Sequence, residues 1–357
     1  VIDKIKAVVI DDSAFMRKSL SIILKSDPDI EVVGTARDGI EGVELVKKVK
    51  PDIVTLDIEM PRMNGLEALE IIMKEAPTSV IMVSSLTTEG ADATIKALEI
   101  GAVDFIPKEM SFVSVNIINI KEDLIKKIKT IVRNKFIKSR LKRLKGNDSG
   151  LERERIPRFR TIKELPKFGY KAIALGISTG GPLSLQKLVP NLTGKMNIPF
   201  FIVQHMPPRF TKSLADRLNN MCPLEVKEAE NREEVKNGVV YIAPGGFHMK
   251  TYKSNNGKIY LETTEMPSDT LHRPSVDVML KSVLGIYGKH TMGIIMTGMG
   301  KDGLEGIREL KRLGGYCLAQ DEDSCVVYGM PKAVVDAGFA DVIAPLEKIS
   351  EIINRAV

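Results

Sequence analysis

The sequence predicts an α/β protein with two separate, mostly parallel sheets. Three observations carry this. The chain has 357 residues, more than the roughly 100–200 of one ordinary domain. Short apolar strand patterns alternate with amphipathic helical ones over residues 1–110, and again from Tyr170 onward. Between these blocks, Gly146-Asn147-Asp148-Ser149-Gly150 and the charged stretch 151–169, with Pro157 and Pro166, interrupt both patterns and read as a linker.

In the first block, strands are expected at Lys6–Ile10, Glu31–Thr35, Ile53–Leu56, Val80–Val83 and Val103–Ile106. Helices are expected at Ala14–Lys25, after a Ser13 cap, and at Asp38–Val49, Gly65–Glu75 and Ala91–Ile100. Strands that alternate with helices in this way build a parallel sheet covered on both faces. Residues 117–144 carry one apolar stripe (Ile117, Leu124, Ile125, Ile128, Ile131, Val132, Phe136, Leu144) on an otherwise basic helix. In the second block, Lys171–Ile177, Pro199–Val203, Thr291–Thr297 and Tyr316–Ala319 read as strands. Leu183–Val189, Thr211–Asn219, Leu304–Leu313 and Pro331–Ala337 read as the helices that follow them. Val239–Glu265 reads as an antiparallel insertion of hairpins, turning at Gly245-Gly246 and Asn255-Asn256-Gly257.

Composition narrows the class. With 43% apolar and 27% charged residues, the chain is neither disordered nor fibrous. Three scattered cysteines suit a reducing, cytoplasmic compartment. The run Ala7-Val8-Val9-Ile10 is too short for a signal peptide, and no apolar stretch is long enough to span a membrane. The net charge of +6 is local in origin. Residues 121–145 hold eleven basic and two acidic side chains, whereas residues 1–110 hold thirteen and twenty. A wholly basic nucleic-acid binder is therefore not indicated.

Chemistry is expected where strands end, because open parallel sheets collect their sites at the carboxyl edge. Asp11, Asp12 and Asp57 fall there in the first block. Three gathered carboxylates repel one another, and a hard cation such as Mg²⁺ relieves this. Ser84 and Lys108 end two further strands, offering a hydroxyl and a cation to a phosphoryl group on one carboxylate. Any one of these acids alone would more simply be a solvated strand end. Together, residues 1–120 resemble the receiver domain of two-component response regulators, a flavodoxin-like five-stranded fold. The resemblance implies Asp57 as phosphoacceptor, Asp11, Asp12 and Asp57 as the Mg²⁺ ligands, and Ser84, Phe105 and Lys108 as the residues that respond to phosphorylation. Glu109 departs from the proline usual in that family after the lysine.

In the second block, Gly176-Ile177-Ser178-Thr179-Gly180-Gly181 joins a strand to a helix and fits a nucleophile elbow. Of the four histidines, His205 ends a strand at the same edge as Ser178, and His290 lies at the opposite edge. His248 and His272 fall in hairpin or loop regions, with structural or substrate-facing roles. Asp302 follows another strand and can orient an imidazole. The order Ser…His…Asp differs from that of the α/β-hydrolases. Gly298-Met299-Gly300-Lys301-Asp302-Gly303 also spells a dinucleotide fingerprint, with Asp321 and Asp323 about 20 residues on, although it does not stand at the first β/α turn.

From Gly176 onward, Gly-Ile-Ser-Thr-Gly-Gly-Pro, Gln204-His205-Met206-Pro207, Arg273-Pro274-Ser275-Val276-Asp277, Thr-Gly-Met-Gly-Lys-Asp-Gly and Ala319-Gln320-Asp321-Glu322 resemble the CheB family of chemotaxis protein-glutamate methylesterases. The domains are then 1–120 receiver, 121–169 basic helix and linker, and 170–357 methylesterase. The resemblance implies hydrolysis of glutamyl methyl esters on methyl-accepting chemoreceptors, with deamidation of receptor glutamines. Ser178, His205 and Asp302 would be catalytic, and Met299 and Thr179 would face the oxyanion. No cofactor would be needed for hydrolysis. The receiver would cover the cleft until the histidine kinase CheA phosphorylates Asp57. A cytoplasmic monomer acting near the membrane, binding no nucleic acid, is expected. The alternative is a receiver-controlled transcription factor that binds DNA through the basic segment.

Overall fold

The structure, a computed structural model, describes residues 4–108, 121–134 and 165–357. Glu109, the parts of the expected basic helix on either side of residues 121–134 and most of the linker lie outside the described residues. The chain divides into two compact units, Val1–Ser149 and Gly150–Val357.

The first unit contains β1 (Ile5–Ile10), α1 (Ala14–Lys25), β2 (Ile30–Ala36), α2 (Gly39–Val49), β3 (Ile53–Asp57), α3 (Gly65–Glu75), β4 (Ser79–Ser85), α4 (Thr88–Ile100), β5 (Asp104–Lys108) and a helix α5 over residues 121–134. Its sheet runs β2-β1-β3-β4-β5, with every pair parallel. Each of α1–α4 starts on a side-chain cap: Ser13, Asp38, Asn64 and Thr87 accept from the amides of Met16, Glu41, Glu67 and Gly90. Such caps satisfy amides that a helix end leaves open, each stabilising by about 1 kcal/mol. α5 buries Leu124, Ile128, Ile131 and Val132. Its basic face pairs back onto this unit through Lys127–Asp104 (3.2 Å) and Lys129–Asp27 (3.0 Å). Lys127, Lys129 and Arg133 of this described stretch thus form ion pairs within the unit.

The second unit contains β6 (Ala172–Ile177), α6 (Gly181–Leu188), β7 (Phe200–Gln204), α7 (Phe210–Asn219), β8 (Glu225–Glu228), β9 (Val239–Ile242), β10 (His248–Lys253), β11 (Ile259–Thr264), α8 (Val276–Tyr287), β12 (Thr291–Ile295), α9 (Leu304–Arg312), β13 (Tyr316–Gln320), α10 (Met330–Asp336), β14 (Val342–Ala344) and α11 (Leu346–Ala356). Seven strands form a parallel sheet in the order β14-β13-β12-β6-β7-β9-β8. β10 and β11 form a separate antiparallel hairpin whose Thr251 amide bonds to Ser282 of α8.

The expected run of hairpins is corrected to one. β9 joins the main sheet in parallel, so Gly245-Gly246 is not a hairpin turn. Gly245 instead passes the chain against the Pro207-Pro208 backbone, where an added Cβ would sit 2.3 Å from the Pro207 carbonyl carbon. Helix α8, which apolar periodicity does not announce, packs Val276, Met279, Leu280, Val283 and Leu284 into the core beside Phe201 and Tyr241.

Sheet order fixes where the sites lie. In each unit the first strand sits inside the sheet: β1 between β2 and β3, β6 between β12 and β7. The chain therefore leaves in opposite directions at that point and opens a crevice at the carboxyl ends.

Candidate active sites

The crevice of the first unit holds Asp11, just past β1, and Asp57, the last residue of β3, both buried. Asp12 is exposed beside them. A carboxylate oxygen from each of the three lies within 4.8 Å of the others. Lys108 ends β5 and reaches in, its Nζ 2.7 Å from Asp57 Oδ2 and 3.4 Å from Asp11 Oδ2. Apart from that ammonium, neither oxygen has a hydrogen-bond partner among the described residues. Burial, with the Asp11 charge, pushes Asp57 up to about 6 against the pull of Lys108. Asp11 is also raised, chiefly by burial. Lys108 is desolvated, yet its two carboxylate partners hold it above its ordinary value. Buried, under-coordinated oxygens of like charge suit a divalent cation, so the pocket fits Mg²⁺. Ser84 is buried at the end of β4 and donates to the Gly90 carbonyl at 3.0 Å. Phe105 is buried in β5.

A stability effect follows from the raised Asp57. Without metal, the folded unit keeps a proton on Asp57 up to about pH 6, while the unfolded chain releases it near 4. The folded state therefore binds more protons across that window, and stability falls as pH rises through it. Asp57→Asn is expected to stabilise the unit at pH 7 by on the order of 2 kcal/mol and far less at pH 4. Hydrogen exchange of the β1 and β3 amides checks this, and added Mg²⁺ should narrow the difference. Equal protection of both proteins at pH 7 would contradict it.

The second site is built from three adjacent strand ends, β7, β6 and β12. In the β6–β7 register Ile177 faces Gln204, which makes Ser178 and His205 the next pair along. The His205 amide donates to Ile177 O at 3.1 Å. The Gln204 side chain donates to both the Ser178 and the His205 carbonyls, at 3.0 and 3.2 Å. This buried amide, to which the sequence pattern assigns no role of its own, pins the backbones of both residues. On the other side, the Ser178 amide donates to Thr297 O at 2.9 Å.

The turn after Ser178 depends on glycine. Gly180 has φ +77° with the Val326 side chain against it, and a Cβ on Gly181 would overlap Gln204 Oε1 at 1.8 Å. Gly298, opposite Ser178, is equally constrained: an added Cβ would lie 2.8 Å from Ser178 Cβ and 2.4 Å from Met330 Sδ. Gly298→Ala is therefore expected to displace Ser178 and cut turnover about 100-fold, with overpacking costing roughly 1–3 kcal/mol. A kinetic assay beside a melting curve checks both effects. Met299, half-buried, follows directly, and Thr179 is buried with its carbonyl accepting from Thr297 Oγ1 at 2.9 Å.

Asp302 comes from the loop after β12. Its Oδ2 lies 2.8 Å from His205 Nε2, and the two side chains are 12% and 8% exposed. It also accepts from the Val276 amide (2.7 Å), the Asp277 amide (3.1 Å) and Ser275 Oγ (3.0 Å). These three donors belong to the start of α8, so the carboxylate also receives that helix's positive end. Burial alone would raise Asp302. The bond and charge of His205 and the two amides outweigh it and hold the carboxyl below its ordinary value. Asp302 is thus fixed as an anion that accepts from Nε2–H. The tautomer follows: His205 Nδ1 is the basic nitrogen, and it is buried with no partner among the described residues.

Asp277 completes a reciprocal arrangement. It starts α8, and its carboxylate accepts from the Gly306 amide at the start of α9 (2.7 Å). That disposes of the dinucleotide alternative, because the α9 N-terminus that would receive a pyrophosphate is occupied by Asp277.

The other histidines separate. His290 lies at the opposite edge and bonds to Gly169 O at 3.1 Å. His248 is fully buried, its Nδ1 accepting from the Ser275 amide (3.1 Å) and its Nε2 facing Pro267 O (3.1 Å); burial lowers its pKa. His272 stacks on His205, with centroids 4.2 Å apart and planes 21° apart. Sequence position alone gives no signal for that contact.

A carboxylate pocket with a lysine in a 2-1-3-4-5 parallel sheet defines a receiver-type unit. A serine, an imidazole and a held carboxylate on one edge of a second parallel sheet define a serine-hydrolase type. Comparison with known proteins agrees. Residues 7–116 match the family model described as response regulator receiver domain, and residues 173–353 match CheB methylesterase. A protein-glutamate methylesterase/protein-glutamine glutaminase of Pyrococcus horikoshii is 46% identical over 99% of this chain and 94% of its own. One of Thermotoga maritima is 46% identical over 97% of each. The crystal structure of the Thermotoga maritima CheB methylesterase catalytic domain, 46% identical, covers 53% of this chain and 99% of that one, with a TM-score of 0.51. The chain belongs to the CheB methylesterase family. Its second unit is a methylesterase unit, which overturns the transcription-factor alternative. No described helix is long and apolar enough to cross a membrane.

Proposed function

We propose that this protein is a phosphorylation-regulated serine hydrolase of bacterial-type chemotaxis. It demethylates glutamyl methyl esters, and deamidates glutamines, on methyl-accepting chemoreceptors. The observation that carries this reading is the His205–Asp302 pair, held at 2.8 Å through Nε2, with an Nδ1 that has no partner among the described residues, one strand from Ser178.

Ser178 Oγ attacks the ester carbonyl while His205 Nδ1 takes its proton, and Asp302 steadies the imidazolium that forms. The oxyanion is received by backbone amides at Met299 and Thr179. His205 returns the proton to the departing methoxide, releasing methanol and leaving a glutamyl ester on Ser178. Water, deprotonated by the same nitrogen, then cleaves that ester and regenerates the hydroxyl. With a glutamine substrate, ammonia leaves instead.

In the receiver, Asp11, Asp12 and Asp57 would hold Mg²⁺, whose chemistry when bound is to offset charge on phosphoryl oxygens. Asp57 accepts the phosphoryl group from the histidine kinase CheA, Lys108 pairs with it, and Ser84 exchanges the Gly90 carbonyl for a phosphoryl oxygen. Phe105 follows the Ser84 movement. The protein acts as a cytoplasmic monomer near the receptors.

The test is methanol release from methylated receptor membranes, with and without a small-molecule phosphodonor and Mg²⁺. Release is expected in both cases, several-fold faster with phosphodonor. No release overturns the hydrolase reading, and equal rates overturn the regulatory one.

A further inference from the structure

We propose that His272 is a positioning residue for the esterase: its ring, stacked face to face on His205, holds the imidazole plane in the orientation that aims Nδ1 at the Ser178 hydroxyl. This rests on the function proposed above and goes beyond it, because His272 lies outside the serine, imidazole and carboxylate set.

The need for such a residue is geometric. The His205 ring is tethered at Cβ and, through Nε2, at Asp302 Oδ2. Two points leave one freedom, a tilt of the ring about the line that joins them. That tilt hardly disturbs the Asp302 bond, but it sweeps Nδ1 out of its plane. Nδ1 is buried with no hydrogen-bond partner among the described residues, so no polar contact described there resists the motion. A parallel ring with its centroid 4.2 Å away blocks the tilt from one side by direct contact. The same ring covers the base, whose side chain is 8% exposed, while His272 itself stands exposed.

The loop bearing His272 is fixed well enough to serve as a stop. Buried His248 lies at hydrogen-bond distance from Pro267 O (3.1 Å) and Thr270 Oγ1 (3.2 Å). The Gly246 amide donates to Arg273 O at 3.2 Å, and His248 Nδ1 accepts from the Ser275 amide. Ser275 in turn donates to Asp302. The loop that supplies the stacked ring and the carboxylate that orients the base thus share one anchor.

The experiment uses the full chain with His272→Ala, His272→Phe and a control, Leu271→Ala, at the neighbouring position that is 95% exposed. Two rates are read: methanol release from methylated receptor, and phosphonylation of Ser178 by a small fluorophosphonate, which needs the base but no receptor docking. His272→Ala is expected to slow both about 10- to 100-fold through kcat, with KM within about threefold. His272→Phe, which keeps a stacked ring without its nitrogens, restores both to within about threefold of wild type, and Leu271→Ala changes neither. A raised KM with wild-type phosphonylation would make His272 a receptor contact and overturn the proposal. Failure of phenylalanine to rescue would assign the role to its nitrogens and overturn it too. If wild-type Ser178 resisted phosphonylation, the underlying hydrolase reading would fall instead, so the two failures are distinguishable.

Discussion

Ser178→Ala is expected to reduce methanol release by about 10⁴- to 10⁶-fold, the loss seen when a nucleophile that acts as a unit with its base is removed. Phosphorylation of Asp57 should be untouched. The fold should survive, because the contacts that hold this turn are made by the main chain. The Ser178 amide bonds to Thr297 O, and its carbonyl accepts from Gly181 and Gln204. A melting curve within a degree or two of wild type, beside lost turnover, is the anticipated pair of results. Turnover retained at even one per cent would point to another nucleophile.

Asp302→Asn ranks next, with a loss of about 10³- to 10⁴-fold in kcat. The site is made only of donors: His205 Nε2, the Val276 and Asp277 amides and Ser275 Oγ. An asparagine brings an NH₂ that must face some of them. Turned toward His205, it forces Nε2 to accept, moves the imidazole proton to Nδ1 and so removes the base. Turned toward Ser275 and Asp277, it orphans the start of α8 and still lacks the charge that stabilises the imidazolium. Unlike Ser178→Ala, this change should also destabilise the second unit, by roughly 1–3 kcal/mol for the buried donors left unmet. Kinetics and urea denaturation on the same preparation separate the two effects.

Much of this architecture is written in local pattern. The five strands of the first sheet and α1–α4 show clean alternation with capping residues at the helix starts, so their ends fall within a few residues of expectation. The placing of Ser178, His205 and Asp302 at one sheet edge is legible because each follows an apolar strand and parallel strands bring their ends together. The misreadings have physical causes. β8 (Glu-Val-Lys-Glu) and β14 (three residues) are short edge strands whose identity comes from pairing, not from their own pattern. α8 is apolar on so many sides that its helical period is weak, and burial rather than amphipathicity defines it. α11, beyond the last expected element at Ala337, shows a plain stripe of Leu346, Ile349 and Ile353. In the site, the use of Nε2 toward Asp302, the Gln204 clamp and the His272 stack are encounters between segments far apart in sequence. No spacing rule announces them.

The central claim is that Ser178 is the nucleophile activated by His205. Treating the full chain with a fluorophosphonate and mapping the adduct by mass spectrometry tests it most directly. The account predicts one modified residue, Ser178, with labelling lost in His205→Ala. An adduct elsewhere, or labelling of Ser178 that proceeds unchanged without His205, would contradict it.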